Sequence, residues 1–332
     1  MHSKITIMKK IINKLLNNLR FHISRSLFFR IAMLNILIFV LFLLFITQYM
    51  TTQAKDLART NQTIINTRAI NILKDGMSAK MKNTKNVIEY LFTNTEVYEL
   101  FARLFTSHQK SYFDGNAFEK EIFVNSLSKS IYMDPNIKDI IIYKNITKEI
   151  YQYQRDNAVI NEYYDLSPKI IHAIESVIPR LRFFASKKAT YSINGGKDVF
   201  TFGIGFNFYN METNVRNGAF VLNFDREYLY EILSNMREEI KGKLLITDLN
   251  GDVLFDTSGK YYGKIYPYYK ELIEMKYSNF SKQNIIDKVI DNNMGLTYIS
   301  VIPKNEIYSN INVFSNTSFV IAIGCIVFMC II

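Results

Sequence analysis

The spacing of hydrophobic and polar positions changes several times along the chain, and each change marks an element. Ile31–Ile46 reads IAMLNILIFVLFLLFI, interrupted only by Asn35. With Leu27–Phe29 before it and Tyr49–Met50 after it, the run reaches about 20 residues, enough to cross ~30 Å of hydrocarbon. From residue 51 to 105 the spacing becomes helical. Ile65, Ala69, Ile72, Leu73, Met77, Met81, Val87, Ile88, Leu91 and Phe92 recur mostly three or four apart, and the first proline is Pro135. This predicts a long helix, softened at Gly76 and broken at Asn94, that resumes at Thr95. A further helix is expected at Ala117–Tyr132, ended by the turn signal Asp134-Pro135.

Beyond Pro135 the period shortens. KDIIIYKNITKEIYQYQRD, residues 138–156, reads as strand, turn, strand. Residues 167–182 are expected to be helical. Strands are expected at Ala189–Ile193, Val199–Phe206 and Gly218–Phe224, with Gly195-Gly196 and Asn217-Gly218 as turns. A helix over 225–236 follows, with Asp225 as its N-cap. KLLITDLNGDVLFDTSGKYYGK, residues 243–264, is a hairpin around Leu249-Asn250-Gly251. A short helix at 268–275, a strand at 295–303 and a helix at 305–313 lead into a second apolar run, Phe319–Ile332. Strands that pair locally through hairpins predict an α+β fold: antiparallel sheets with helices on one face.

Charge changes this picture at one end. The formal net charge is +10, yet residues 1–30 hold seven basic side chains and no acid, which leaves +3 for all the rest. A nucleic-acid reading based on charge therefore falls away. The basic cluster before the first apolar run places the N-terminus in the cytoplasm and residues 51–316 outside. No small-x-small cleavage site follows the run, so it reads as a retained anchor and not a signal peptide. Met8, Ile11, Ile12, Leu15, Leu16 and Leu19 alternate with lysines at helical spacing, which suits either a helix lying on an anionic leaflet or a tail whose charge merely sets topology.

Candidate chemistry is sparse. His2, His22, His108 and His172 show no metal-ligand spacing, and both cysteines, Cys325 and Cys330, sit in the second apolar run. Asp248-Leu-Asn250-Gly-Asp252 starts like a calcium loop, but Val253 stands at its sixth position and Gly259 at its twelfth, so a plain β-turn accounts for it better. Gly203-Ile204-Gly205 lies inside a strand pattern and is no phosphate loop. With no nucleophile–base set, no metal and no cofactor signature, these residues do not read as an enzyme.

Three stretches together carry a resemblance. They are SRSLFFRIAMLNILIFVLF with the long helix after it, NGAFVLNFDREYLYEIL at 217–233, and LLITDLNGDVLFDTSGKYYG with GLTYISVIPKNEIY at 295–308. In this order they resemble the double Cache sensor module of bacterial transmembrane receptors, as in the input half of YesM-type sensor histidine kinases. The resemblance implies a cytoplasmic segment at 1–26, a transmembrane helix at 27–50 and an extracytoplasmic sensor at 51–316. That sensor would comprise a helical stalk at 51–133, a membrane-distal PAS-like unit at 134–236 and a membrane-proximal one at 237–316, with a second transmembrane helix from 317.

The family's distal unit binds the ligand, so residues of suitable type beside its strands are candidates: Tyr143, Tyr151, Tyr153, Arg155, Arg182, Tyr191 and Phe202. The ordinary alternative for each is sheet packing. Amino-acid binders of the family carry a signature that includes Trp, and this chain has none. A small-molecule or peptide ligand outside the cell, the lipid bilayer and a second copy paired along the helix at 55–92 are the expected partners. The output stays open among a histidine kinase, an AraC-type regulator, a chemoreceptor, and an anchored surface protein without output. The 14 residues of the last apolar run fall short of a full span, so a truncated second span is expected.

Overall fold

The computed structural model describes residues 27–155, 157–163, 182–185, 201–209, 216–274 and 279–331. The amphipathic segment within 1–26, the helix expected over 167–181, the strand expected at 189–193 with Tyr191, and the turn at 195–196 lie outside these residues. Leu27–Thr93 forms one helix, α1, that Gly76 does not interrupt. It stops where the sequence predicts. Asn94 leaves helical dihedrals (φ −78°, ψ 108°), and its side-chain oxygen accepts the Val97 N–H at 3.2 Å, capping α2 (Thr95–Thr106). Helix α3 spans Ala117–Tyr132.

The chain divides into two compact units, one comprising residues up to Gln62 together with those from Lys304, the other Thr63–Pro303. In the first, the N-terminal part of α1 meets the last helix, α7 (Lys304–Ile331). Both are long and apolar enough to cross a membrane. Leu34, Phe39, Phe42, Phe45, Val320 and Phe328 point outward, an arrangement that hydrocarbon tolerates and water does not. Shielded positions recur at three- and four-residue spacing, Val40, Leu44, Thr47 and Thr51 on α1 and Ile311, Ser315, Ser318, Ala322 and Ile326 on α7, which is the seam of a helix pair. The ammonium of Lys55 lies 5.9 Å from the ring centre of Tyr308.

In the second unit a six-stranded sheet has the order β3-β2-β1-β6-β5-β4. Its strands are β1 (Ile137–Lys144), β2 (Glu149–Gln154), β3 (Asn157–Tyr163), β4 (Arg182–Ala185), β5 (Thr201–Tyr209) and β6 (Arg216–Asp225). Helix α4 (Glu227–Ile232) and a 3-10 turn (Ser234–Met236) lead to a four-stranded sheet of order β8-β7-β10-β9. It comprises β7 (Lys243–Asp248), β8 (Val253–Asp256), β9 (Asn284–Asp291) and β10 (Leu296–Pro303), with short helices α5 (Tyr269–Ile273) and α6 (Asn279–Gln283) before β9. Every strand pair is antiparallel. The α+β class with two antiparallel sheets and a long first helix is therefore as expected.

One core serves both sheets. Ala69, Ile70, Leu73, Met77, Val87 and Leu91 form the buried stripe of α1. They pack with Ile140, Ile142, Tyr151, Tyr153, Phe220, Leu222 and Phe224 of the larger sheet and Leu244, Ile246, Leu296 and Tyr298 of the smaller. Helix α2 adds Phe101 and Phe105, whose ring centres lie 4.9 and 5.6 Å from that of Phe220.

The structure differs from the sequence reading at three strands and at one turn: Asn217-Gly218, expected as a turn, lies within β6. β3 follows β2 after two residues, 155 and 156, which carry no glycine or asparagine to signal the hairpin turn. β9 is an edge strand whose positions are mostly half-exposed, so it shows no clean alternation. β4 begins at Arg182, the last residue of an expected helix. The helix expected over 225–236 is shorter, and its N-cap position falls on Arg226 instead of Asp225, whose carboxylate accepts the Glu227 N–H at 2.9 Å.

Candidate functional site

The alternation that sends Ile140 and Ile142 into the core sends Asp139, Ile141 and Tyr143 to the opposite face of the larger sheet. Strand register supplies their neighbours. Ile141 pairs with Gln152 on β2 and with Val221 on β6, Asp139 pairs with Asn223, and Tyr143 pairs with Ala219. All of these residues are buried. A buried face holding an acid, two amides and a phenol runs against what stability alone selects.

The polar groups converge. Asn223 Nδ2 donates to Asp139 Oδ1 at 2.6 Å, and the side chain of Gln152 also hydrogen-bonds to Asp139. Burial pushes the Asp139 carboxyl up to about 6, against the lowering effect of these two hydrogen bonds. At pH 7 the group is therefore still mostly ionised. Gln152 Oε1, Asn223 Oδ1 and the Tyr143 hydroxyl are buried without a hydrogen-bond partner among the described residues. Each such group costs roughly 1–3 kcal/mol when left unmet, so several on one face call for a reason. The groups left over are two amide oxygens and a hydroxyl, all able to accept, beside the Asp139 carboxylate.

Glycine occupies two positions of the neighbouring strand. Gly203 pairs with Asn223 and Gly205 with Val221, next to Ala219. Glycine inside a strand weakens the strand and often marks close approach by a ligand or another backbone. A face that gathers several acceptors beside strand glycines suits a small molecule bearing a cationic or multiply donating group.

Of the seven residues proposed from the sequence, Tyr191 lies outside the described residues, and Tyr143, Tyr151, Tyr153 and Arg155 fall in different surroundings. Tyr143 lies on this face. Tyr151 and Tyr153 belong to the core-facing side, because they sit one position out of phase with Gln152. The Tyr151 ring packs 5.5 Å from Phe113, and its hydroxyl donates to Glu149 Oε2 at 3.4 Å. Arg155 spends its guanidinium on main-chain carbonyls, donating to Ile137 O at 2.9 Å, to Asp134 O at 2.6 Å and to Ile131 O, and so ties the end of α3 to β1. Arg182 pairs by register with Gly205, and Phe202 with Phe224 and Ala185. The sequence reading missed Asp139, Gln152, Asn223 and the two glycines. Two signals were present: an acid at the head of the apolar run Ile140–Tyr143, and two glycines at alternate positions of one strand.

Asp248, at the head of the stretch that starts like a calcium loop, closes a turn. Asp248 Oδ1 accepts the N–H groups of Asn250 and Asp252 at 2.8 and 2.9 Å. Among the described residues no cluster of His, Cys, Asp and Glu is grouped to hold a metal ion.

No family model matches the chain. No curated protein matches it either. Solved structures do. The ligand-binding domain of the Campylobacter jejuni chemoreceptor Tlp3, in complex with L-norvaline, is similar at 10% identity and a TM-score of 0.48, over 77% of this chain and 94% of that one. The sensory domain of the same receptor gives 12% identity and a TM-score of 0.47, over 78% and 99%. The extracellular domain assigned to a histidine kinase, vpHK1S-Z8, gives 13% identity and a TM-score of 0.43, over 78% and 98%.

Proposed function

We propose that this chain is the ligand-sensing input module of a membrane signalling receptor of the sensor histidine kinase kind. The two apolar helices anchor it, with the N-terminus cytoplasmic and residues 51–316 outside the cell. The sheets form two PAS-like units, 134–236 and 237–316, and the first holds the ligand. The receptor acts as a pair of chains.

The observation that carries this reading is the face at Asp139. A buried carboxylate flanked by unmet acceptors, with two glycines beside them in register, is costly to the free protein and is repaid when a ligand supplies donors. The complementary ligand is a small molecule with an ammonium or similar donor group. Tyr143, Gln152, Asn223 and Asp139 would surround that group.

A ligand bound there favours one of two arrangements of the sheet, and the difference passes on as a small displacement of α1 and α7. The experiment is a thermal-shift screen of the full chain in lipid nanodiscs against small cations, anions and neutral sugars. Stabilisation by members of the cationic set alone supports the reading. Stabilisation by anions or sugars alone contradicts it.

A further inference from the structure

Lys80 stands inside the apolar stripe of α1, three residues after Met77, and it is buried. An ammonium in that position is held by several partners at once. Its Nζ lies 2.9 and 2.8 Å from the two carboxylate oxygens of Asp134 and 2.5 Å from Asn136 Oδ1. The ring centre of Tyr228, on α4, is 4.0 Å away. Asp134 also accepts Asn83 Nδ2 at 2.7 Å, a second link to α1.

This node grips both strands that carry the candidate site. The Asn136 N–H donates to Asp134 Oδ1 at 2.8 Å, and Asn136 O accepts the N–H of Asp225, the last residue of β6, at 2.9 Å. Asp134 O accepts the N–H of Ile137, the first residue of β1, at 3.1 Å. Ile137 then pairs with Phe224, the register slips by a bulge, and the next pair is Asp139 with Asn223. The two residues that meet at 2.6 Å in the site are thus each two to three residues from the Lys80 node.

A buried ion pair is a poor source of stability compared with apolar side chains of equal volume. Its distinctive property is directional. It holds one arrangement of the groups around it and penalises others.

We propose that Lys80 is a positioning residue for the ligand site, fixing the start of β1 and the end of β6 on α1 so that Asp139 and α1 move together. The role in binding rests on the function proposed above. The coupling itself does not, so it is tested without a ligand.

The experiment uses the full chain in lipid nanodiscs and reads backbone hydrogen exchange over residues 76–84. Asp139→Asn is the perturbation at the site. The expected result is that Asp139→Asn changes exchange in 76–84 by fivefold or more in the native background. The change should fall below twofold when Lys80→Met and Asp134→Leu are both present. If that double variant does not fold, Asn136→Ala replaces it, since it removes one acceptor of the ammonium and leaves the ion pair, and the coupling must again weaken. An unchanged 76–84 on Asp139→Asn, or an equal change in both backgrounds, overturns the proposal. Either result leaves the ligand question to the thermal-shift screen.

Discussion

Asp139 and Asn223 face each other across β1 and β6 with 2.6 Å between carboxylate oxygen and amide nitrogen, on the sheet face turned away from the core. The pair joins positions 84 residues apart. It raises a question of stability before one of function, because the acid is buried and held up at about 6.

The first prediction concerns that cost. A folded-state value of about 6 against an ordinary 3.8 means that the folded chain binds the proton more tightly than the unfolded chain. This group therefore penalises folding progressively as pH rises from about 4 to about 6, and the penalty is complete above that window. Asp139→Asn should remove it and stabilise the chain at pH 7 by about 2–3 kcal/mol in the absence of ligand. Urea unfolding at pH 4 and pH 7 measures this. A variant less stable than the parent at pH 7 would show that the carboxylate is satisfied in a way this account omits.

Lys80 should behave in the opposite sense. Removing the ammonium strands the Asp134 carboxylate, which has 0% of its side chain exposed. Lys80→Met alone is expected to cost roughly 3–5 kcal/mol, while Lys80→Met with Asp134→Leu is expected to lie within about 1–2 kcal/mol of the parent. The comparison of the two unfolding midpoints is the test, and equal losses would argue against a buried pair.

Gly218 lies under the aromatic cluster. A methyl group added there would stand 2.1 Å from the Phe105 ring and 2.6 Å from Tyr143 O, and the latter is backbone that has no rotamer to change. Gly218→Ala should cost about 1–3 kcal/mol or more by overpacking and lower the melting temperature accordingly. A melting temperature within a degree of the parent would mean that the two strands separate more readily than the packing implies.

The exposed side of α1 is where pairing with a second copy can be probed. Leu91 is fully buried in its own chain, and Ile72 packs against the same core, so charged replacements there damage the fold and report nothing on pairing. Ile64 is 47% exposed. Ile64→Asp should leave stability within about 0.5 kcal/mol. If α1 mediates the pair, the same variant should shift sedimentation toward a single chain, and an unchanged sedimentation profile would place the contact elsewhere.

The legible parts of this chain were those with a strong local period. The apolar run at Ile31–Ile46, the stripe from Ala69 to Leu91, the break at Asn94 and the helix at 117–132 all follow from spacing within a few turns. Two strands escaped because their exposure hides alternation or their connection lacks a glycine or asparagine turn signal, as at β9 and β3. The site was less legible because it is built from parity and register. Tyr151 and Tyr153 looked like ligand residues by type, yet Gln152 between them is the one on the polar face. Whether Asp139 or its neighbour faces the site likewise depends on a phase that a β-bulge between Ile137 and Asp139 resets. Arg155 also looked available, and three main-chain carbonyls occupy it.

The central claim is that the Asp139 face binds a small cation. The most direct measurement is the dissociation constant of the best cationic hit from the thermal-shift screen, taken by calorimetry at pH 5 and pH 7 for the parent chain and for Asp139→Asn. With a carboxyl that titrates near 6, the account predicts about tenfold tighter binding by the parent at pH 7 than at pH 5. For Asp139→Asn it predicts a loss of about tenfold or more at pH 7, with little pH dependence left. Equal affinity in the two chains at both pH values would contradict it.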